Sequence, residues 1–123
     1  MRGERELSRA IFAAAMLCRA AIRRSTFGPE NPDDVVEQLD AAWGVMIGAV
    51  HEAGKGIARG LTDKALLEIH RLGENASTSL GAYVAYVRRG GQEAGVIFEE
   101  ARRAPNKIDL VIGAYEIAYP PPK

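Results

Sequence analysis

Cysteine is nearly absent: Cys18 is the single one in 123 residues. An intrachain disulfide and a multi-cysteine metal site are thereby excluded, and the usage fits a reducing compartment. Aromatic residues make up only 7%, and none is interleaved with basic residues as a stacking platform for a nucleic-acid strand. Neither sign of charge is in excess. Sixteen Lys plus Arg balance sixteen Asp plus Glu, and residues 1–60 and 61–123 each carry eight of either sign. The balance argues against strong attraction to nucleic acid or anionic lipid over the whole surface. Long apolar runs are missing too, since none approaches the roughly 18–20 residues that span a bilayer. The segment AIFAAAMLC follows Glu4 and Glu6 and precedes Arg19, Arg23 and Arg24, which suits an amphipathic helix better than a secretory signal. These absences point to a cytoplasmic protein with no membrane association.

What is present is helical period. Between residues 4 and 24, Leu7, Ala10, Ile11, Ala14, Leu17, Cys18, Ala21 and Ile22 recur at steps of three and four, and Phe12 and Met16 widen the stripe. STFGPENP breaks the pattern. Asn31 is placed to cap a second helix with Pro32 in its first turn, and its stripe is Val36, Leu39, Trp43, Met46, Ile47 and Val50. Gly44 and Gly48 leave a shallow track on it. Thr62 is placed to cap a long third helix over 63–89, with Leu66, Ile69, Gly73, Ala76, Leu80, Tyr83 and Val87 as its seam. Gly73 is the weak point of that helix, costing up to about 1 kcal/mol relative to alanine. GGQEAGVIFEEARRA reads as a shorter helix. The segment 108–119 suits a strand or a helix, and the helical face Ile108, Val111, Ile112, Tyr115, Tyr119 decides for helix, with Asn106 and Asp109 as a capping pair.

Three arginine pairs, Arg23-Arg24, Arg88-Arg89 and Arg102-Arg103, stand at helix ends, where they complement the helix dipole. In an up-down bundle the first and third helices end at one pole, so Arg23, Arg24, Arg88 and Arg89 would gather there as a patch for an anion or an acidic partner. The two histidines carry the chemical alternatives. HRLGENASTSLGA, from His70, resembles the phosphorylated helix of histidine phosphotransfer domains, which implies a phosphoryl-accepting His70. Gly73 and Glu74 stand where that family has lysine and glycine, and Glu74 would repel a phosphoryl dianion on His70. GAVHEAGKGIARGLTDKALLEI resembles the histidine-bearing segment of the carboxymuconolactone decarboxylase and alkylhydroperoxidase-like family. That likeness implies proton transfer at His51, without the nearby cysteines those proteins often carry. No His-Glu-x-x-His, Glu-x-x-His, GxGxxG or Walker pattern occurs.

The expectation is an all-α compact bundle of four to five mainly antiparallel helices with a long third helix, one domain over 1–123 ending in a Pro-rich tail at 120–123. Its role is that of a non-enzymatic interaction module without metal or cofactor, binding a protein partner or its own copies. The expected interaction face is Phe12, Met16, Ile108, Ile112, Tyr115 and Tyr119. The alternatives are a histidine role at His70 (with Glu74) or at His51, and nucleic-acid binding through the paired arginines, which is less favoured.

Overall fold

The periodic segments become five helices in the computed structural model, which describes residues 3–28, 30–92 and 95–121. They are α1 (Glu4–Arg24), α2 (Asp33–Ala58), α3 (Lys64–Arg88), α4 (Val96–Arg102) and α5 (Ala104–Ala118), and no strand occurs among the described residues. The chain is an all-α bundle. Glu4 and Glu6 in the first turn of α1, and Arg23 and Arg24 in its last, oppose the helix dipole. Asp33 and Asp34 do the same for α2.

All three expected caps, Asn31, Thr62 and the Asn106–Asp109 pair, are corrected. Asn31 does not cap α2; its side chain accepts from the Thr26 backbone N–H at 2.7 Å and donates to the Thr26 and Gly28 carbonyls at 2.8 and 2.9 Å. It therefore holds the α1–α2 loop together. Thr62 does not cap α3. Asp63 does, accepting from Leu66 N–H at 3.1 Å, because a carboxylate at that place also meets the positive helix end. Asn106 lies within the first turn of α5, which begins at Ala104 with Pro105 beside it. α4 is shorter than the expected segment, and part of that segment, residues 93–94, lies outside the described residues.

α3 touches each of the other four helices, whereas α2 meets only α1 and α3. The α3 seam lies inward as its spacing requires, with Leu66, Ile69, Leu80, Tyr83 and Val87 all buried. Gly73 is a crossing point rather than a weak one. A Cβ there would stand 2.9 Å from Val50 Cγ2 and 3.2 Å from Ile11 Cγ2, so only glycine lets α1 and α2 close on α3 at this level. The buried side of α2 is turned toward α1: Val35, Leu39, Ala42, Met46, Val50 and Ala53 face in, while Ile47 is left 43% exposed. Trp43 sits half-buried at the α2–α3 edge, against Gly81, with its indole N–H donating to the Ser77 carbonyl at 3.0 Å. The loop residue Phe27 and α4 close one end of the bundle. Phe27 stacks on Tyr86 at 4.5 Å and lies 5.5 Å from Phe98, ring centre to ring centre.

Candidate functional site

The expected interaction face is partly used in packing within the bundle: Ile108 and Ile112 are buried, and Phe12, Tyr115 and Tyr119 are half-buried. Phe12 of α1 stacks on Tyr115 of α5 with ring centres 4.3 Å apart, and Tyr119 adjoins Tyr115 at 5.1 Å. The Arg5 guanidinium covers the Tyr119 ring at 5.2 Å. Ile108 and Ile112 are 0% and 3% exposed. The correction has a simple cause: α5 is the fourth wall of the bundle and needs this face to pack on α1 and α3. Of the six residues, Met16 stays outside, its sulfur accepting an Arg19 N–H at 3.2 Å.

Other apolar side chains of α1 and α5 remain in solvent. Leu17 on α1 is 53% exposed and Val45 on α2 is 48% exposed. Between them runs a groove of about 300 Å³, edged by Ala20, Ala41, Arg24 and Gln38, with the Arg24 guanidinium donating to the Gln38 amide oxygen. Nothing stands within 4 Å of where a Cβ would be at Gly44 or Gly48, so the glycine track read from the sequence lies open. On α5, Leu110 and Ile117 are exposed beside a second groove of about 540 Å³ against α3. Its lining mixes Leu72, Ala114 and Gly113 with charged groups, the Glu68–Arg71 pair at 2.6 Å, Lys107 and Asp109.

His51 and His70, nineteen residues apart, line one cleft of about 410 Å³ between α2 and α3. Sequence reasoning treated them as rival sites, because their adjacency arises only from antiparallel packing of two helices. His70 Nδ1 approaches Glu74 Oε1 at 3.4 Å, and its Nε2 would lie 3.3 Å from a Cβ on Gly54. Lys55 stands at the rim, paired with Glu52 at 3.3 Å, and the buried Ser77 hydroxyl has no partner among the described residues. The Glu74 carboxylate lies beside Nδ1, and Nε2 faces Gly54 on the α2 wall of the cleft. The arrangement suits a phosphoryl acceptor poorly, since Glu74 lies beside the ring and Gly54 beside Nε2. Among the described residues no three His, Cys, Asp or Glu side chains are grouped to hold a metal.

Of the four arginines Arg23, Arg24, Arg88 and Arg89, two meet the first part of α2: Arg24 bonds Gln38, and Arg88 pairs with Asp40 at 3.0 Å. At the other junction Arg102 pairs with Glu99 and Arg103 with Glu100. These partners take up charge that a nucleic-acid surface would need. Cys18 is buried, its thiol directed at the Ala42 carbonyl at 3.4 Å, and burial pushes its pKa up to about 12, which leaves it unreactive as a nucleophile. Glu100 accepts from the buried Ser79 hydroxyl at 2.6 Å and from Lys107 at 2.8 Å, a network that ties α3 to α4 and α5.

Comparison with family models, curated proteins and solved structures gives no match. Neither family resemblance gains support from it. No helix of the described residues is long and apolar enough to cross a membrane.

Proposed function

We propose that the chain is a helical protein-interaction module that works through the outer side of α1 and α2. The observation that carries this is the bare Leu17–Val45 groove, flanked by small residues and unfilled glycine positions. Small residues let another helix approach closely, and covering the two larger side chains supplies hydrophobic gain. Sedimentation equilibrium of wild type, Leu17→Asp and Ile117→Asp across a wide concentration range is the test. Association lost in Leu17→Asp and kept in Ile117→Asp is expected. The opposite result moves the interface to α5, and equal behaviour of all three removes self-association through either face.

A second reading is favoured by one observation, the sharing of a cleft by His51 and His70. In it the imidazole beside Glu74 accepts a proton from a small molecule held between α2 and α3. Carbethoxylation rates of the two rings test it. A ring poised as a base reacts faster than free imidazole, and rates at or below that of free imidazole for both would sink this reading.

A further inference from the structure

The charges at the ends of the α1/α2 face specify its occupant. On α1, Glu6 and Arg24 are eighteen residues apart. At about 100° per residue that is five whole turns, so both lie on one line along the helix. Between them on the same side come Ala10, Ala13, Leu17 and Ala20. α2 repeats the device: Glu37 and Lys55 are also eighteen residues apart, with Ala41, Gly44, Gly48 and His51 between. Glu6, Arg24, Glu37 and Lys55 are all exposed; among the described residues neither Glu6 nor Glu37 has an ion-pair partner, while Lys55 pairs with Glu52 one turn back on its own helix and Arg24 bonds Gln38.

The midpoints of the two pairs are residues 15 and 46, and the packing sets these side by side. Cys18 meets the Ala42 carbonyl, Arg24 bonds Gln38, and Leu7 lies against Gly56, so residue 15 of α1 is level with the region of residue 46 of α2. One twofold axis across the helices at that level serves both pairs.

We propose that a second copy of this chain docks on the α1/α2 face about that axis, α1 antiparallel to the other copy's α1 and α2 antiparallel to its α2. This rests on the interaction reading above. Glu6 of each copy then stands over Arg24 of the other, and Glu37 over Lys55. Leu17 comes level with Ala13 of the other copy and Gly44 with Gly48, while Val45, one residue from the axis, comes level with Ile47. The alternative twofold, parallel to the helices, also pairs opposite charges, Glu6 with Lys55 and Arg24 with Glu37. It sets Leu17 level with Gly44 and Ala13 level with Gly48, so shape admits both axes. Two helices about 30 Å long and about 10 Å apart offer on the order of 600 Å² per copy. A standard interface buries about 800 Å² per partner, so the dimer is concentration-dependent rather than obligate.

Charge exchange separates the two axes. In Glu6→Arg both cross-pairs of the antiparallel dimer become basic–basic, and in Arg24→Glu both become acidic–acidic. Each variant alone is expected to dimerise about tenfold more weakly at low salt, an effect that shrinks at high salt. An equimolar mixture of the two is expected to form a heterodimer about as tight as wild type, and the double variant Glu6→Arg/Arg24→Glu to regain its homodimer. About the parallel axis the mixture keeps two repulsive contacts and gains nothing over its parents. Sedimentation equilibrium or native mass spectrometry reads all four, with thermal midpoints confirming that each is folded. A mixture no tighter than its parents, or single variants as tight as wild type, overturns the antiparallel register. If Leu17→Asp nevertheless dissociates the dimer, the face stands and only the register falls. A wild type monomeric at every concentration overturns the second copy as occupant.

Discussion

The α1–α2 side and the α3–α4–α5 side of this bundle are built from different materials. On the first, small residues bring two long helices together: Ala14, Ala15, Ala21, Ala42 and Ala53 are buried along the contact, and Gly56 meets Leu7. On the second, bulk and polar bonds do the work. Phe27, Tyr83, Tyr86 and Phe98 form one aromatic cluster, and Ser79, Glu100 and Lys107 form one bonded network. Close approach through small residues leaves little side chain to wrap outward, so the outer face of α1 and α2 stays bare. Ring stacking closes the opposite end over itself. The side with the weaker lateral cover is the one able to receive another chain.

Truncation on the aromatic side gives the largest expected effect. Tyr83 is 3% exposed, lies 5.6 Å from Phe27 and shares a 2.6 Å hydrogen bond with Ser25. Tyr83→Ala should cost about 3–5 kcal/mol by chemical denaturation, as buried aromatic deletions do. Tyr83→Phe, which removes only the hydroxyl, should cost about 0.5–1.5 kcal/mol. Equal losses for the two variants would mean that the bond, and not the ring, holds this end.

Glycines sharpen the contrast next. Gly73→Val forces a branched side chain onto Val50 and Ile11 and should cost about 1–3 kcal/mol. Gly44→Ala on the outer face, where a Cβ meets nothing within 4 Å, should instead stabilise the monomer by up to about 1 kcal/mol. Two shifts of the same sign in the denaturant midpoint would break the distinction between crossing point and open track.

The polar network predicts a smaller, pH-dependent effect. The Lys107 ammonium, and then the Ser79 hydroxyl, hold the Glu100 carboxyl below its ordinary range. A depressed folded-state pKa stabilises the fold above the unfolded carboxyl value of about 4.3, and that contribution disappears as pH falls through the lowered folded value. Wild type should therefore exceed Glu100→Gln in urea midpoint near neutral pH, with the gap narrowing in acid. A gap that stays constant from neutral to acid pH would remove charge from the account of this network.

The smallest effect belongs to the face itself. Leu17→Asp, at a side chain 53% exposed, should leave the unfolding free energy of the monomer within about 0.5 kcal/mol of wild type. A larger loss in dilute solution would make Leu17 part of the core and close the face to a partner.

Legibility followed the range of the interaction. α3 was readable because Leu66, Ile69, Leu80, Tyr83 and Val87 repeat at helical spacing, a relation within one helix. The caps slipped by a residue or two because Asn31 and Thr62 have the right side chains for capping, while loop bonding and a neighbouring Asp63 decided otherwise. The expected interaction face lay on α1 and α5, whereas the bare groove with Leu17 and Val45 lies between α1 and α2. Phe12 and Tyr115 are the largest apolar residues on α1 and α5, and their mutual stacking is a property of the pair. Leu17 was read as core because it keeps the period of Ile11 and Cys18. It is left outside because α2 approaches α1 through Ala42 and Cys18 and passes it by.

By itself the sequence determined that the chain is helical, where each long helix runs, which ends carry which charge, and that Glu6 and Arg24, like Glu37 and Lys55, share a line. All of these depend on the 3.6-residue turn and on neighbours within a few residues. Only the tertiary structure decided which apolar residues are covered, that residue 15 stands level with residue 46, and that His51 and His70 open into one cleft. Cover, level and cleft depend on the distance and offset between helices. Those are fixed by how closely glycines and alanines let the backbones approach, a condition that no single helix contains.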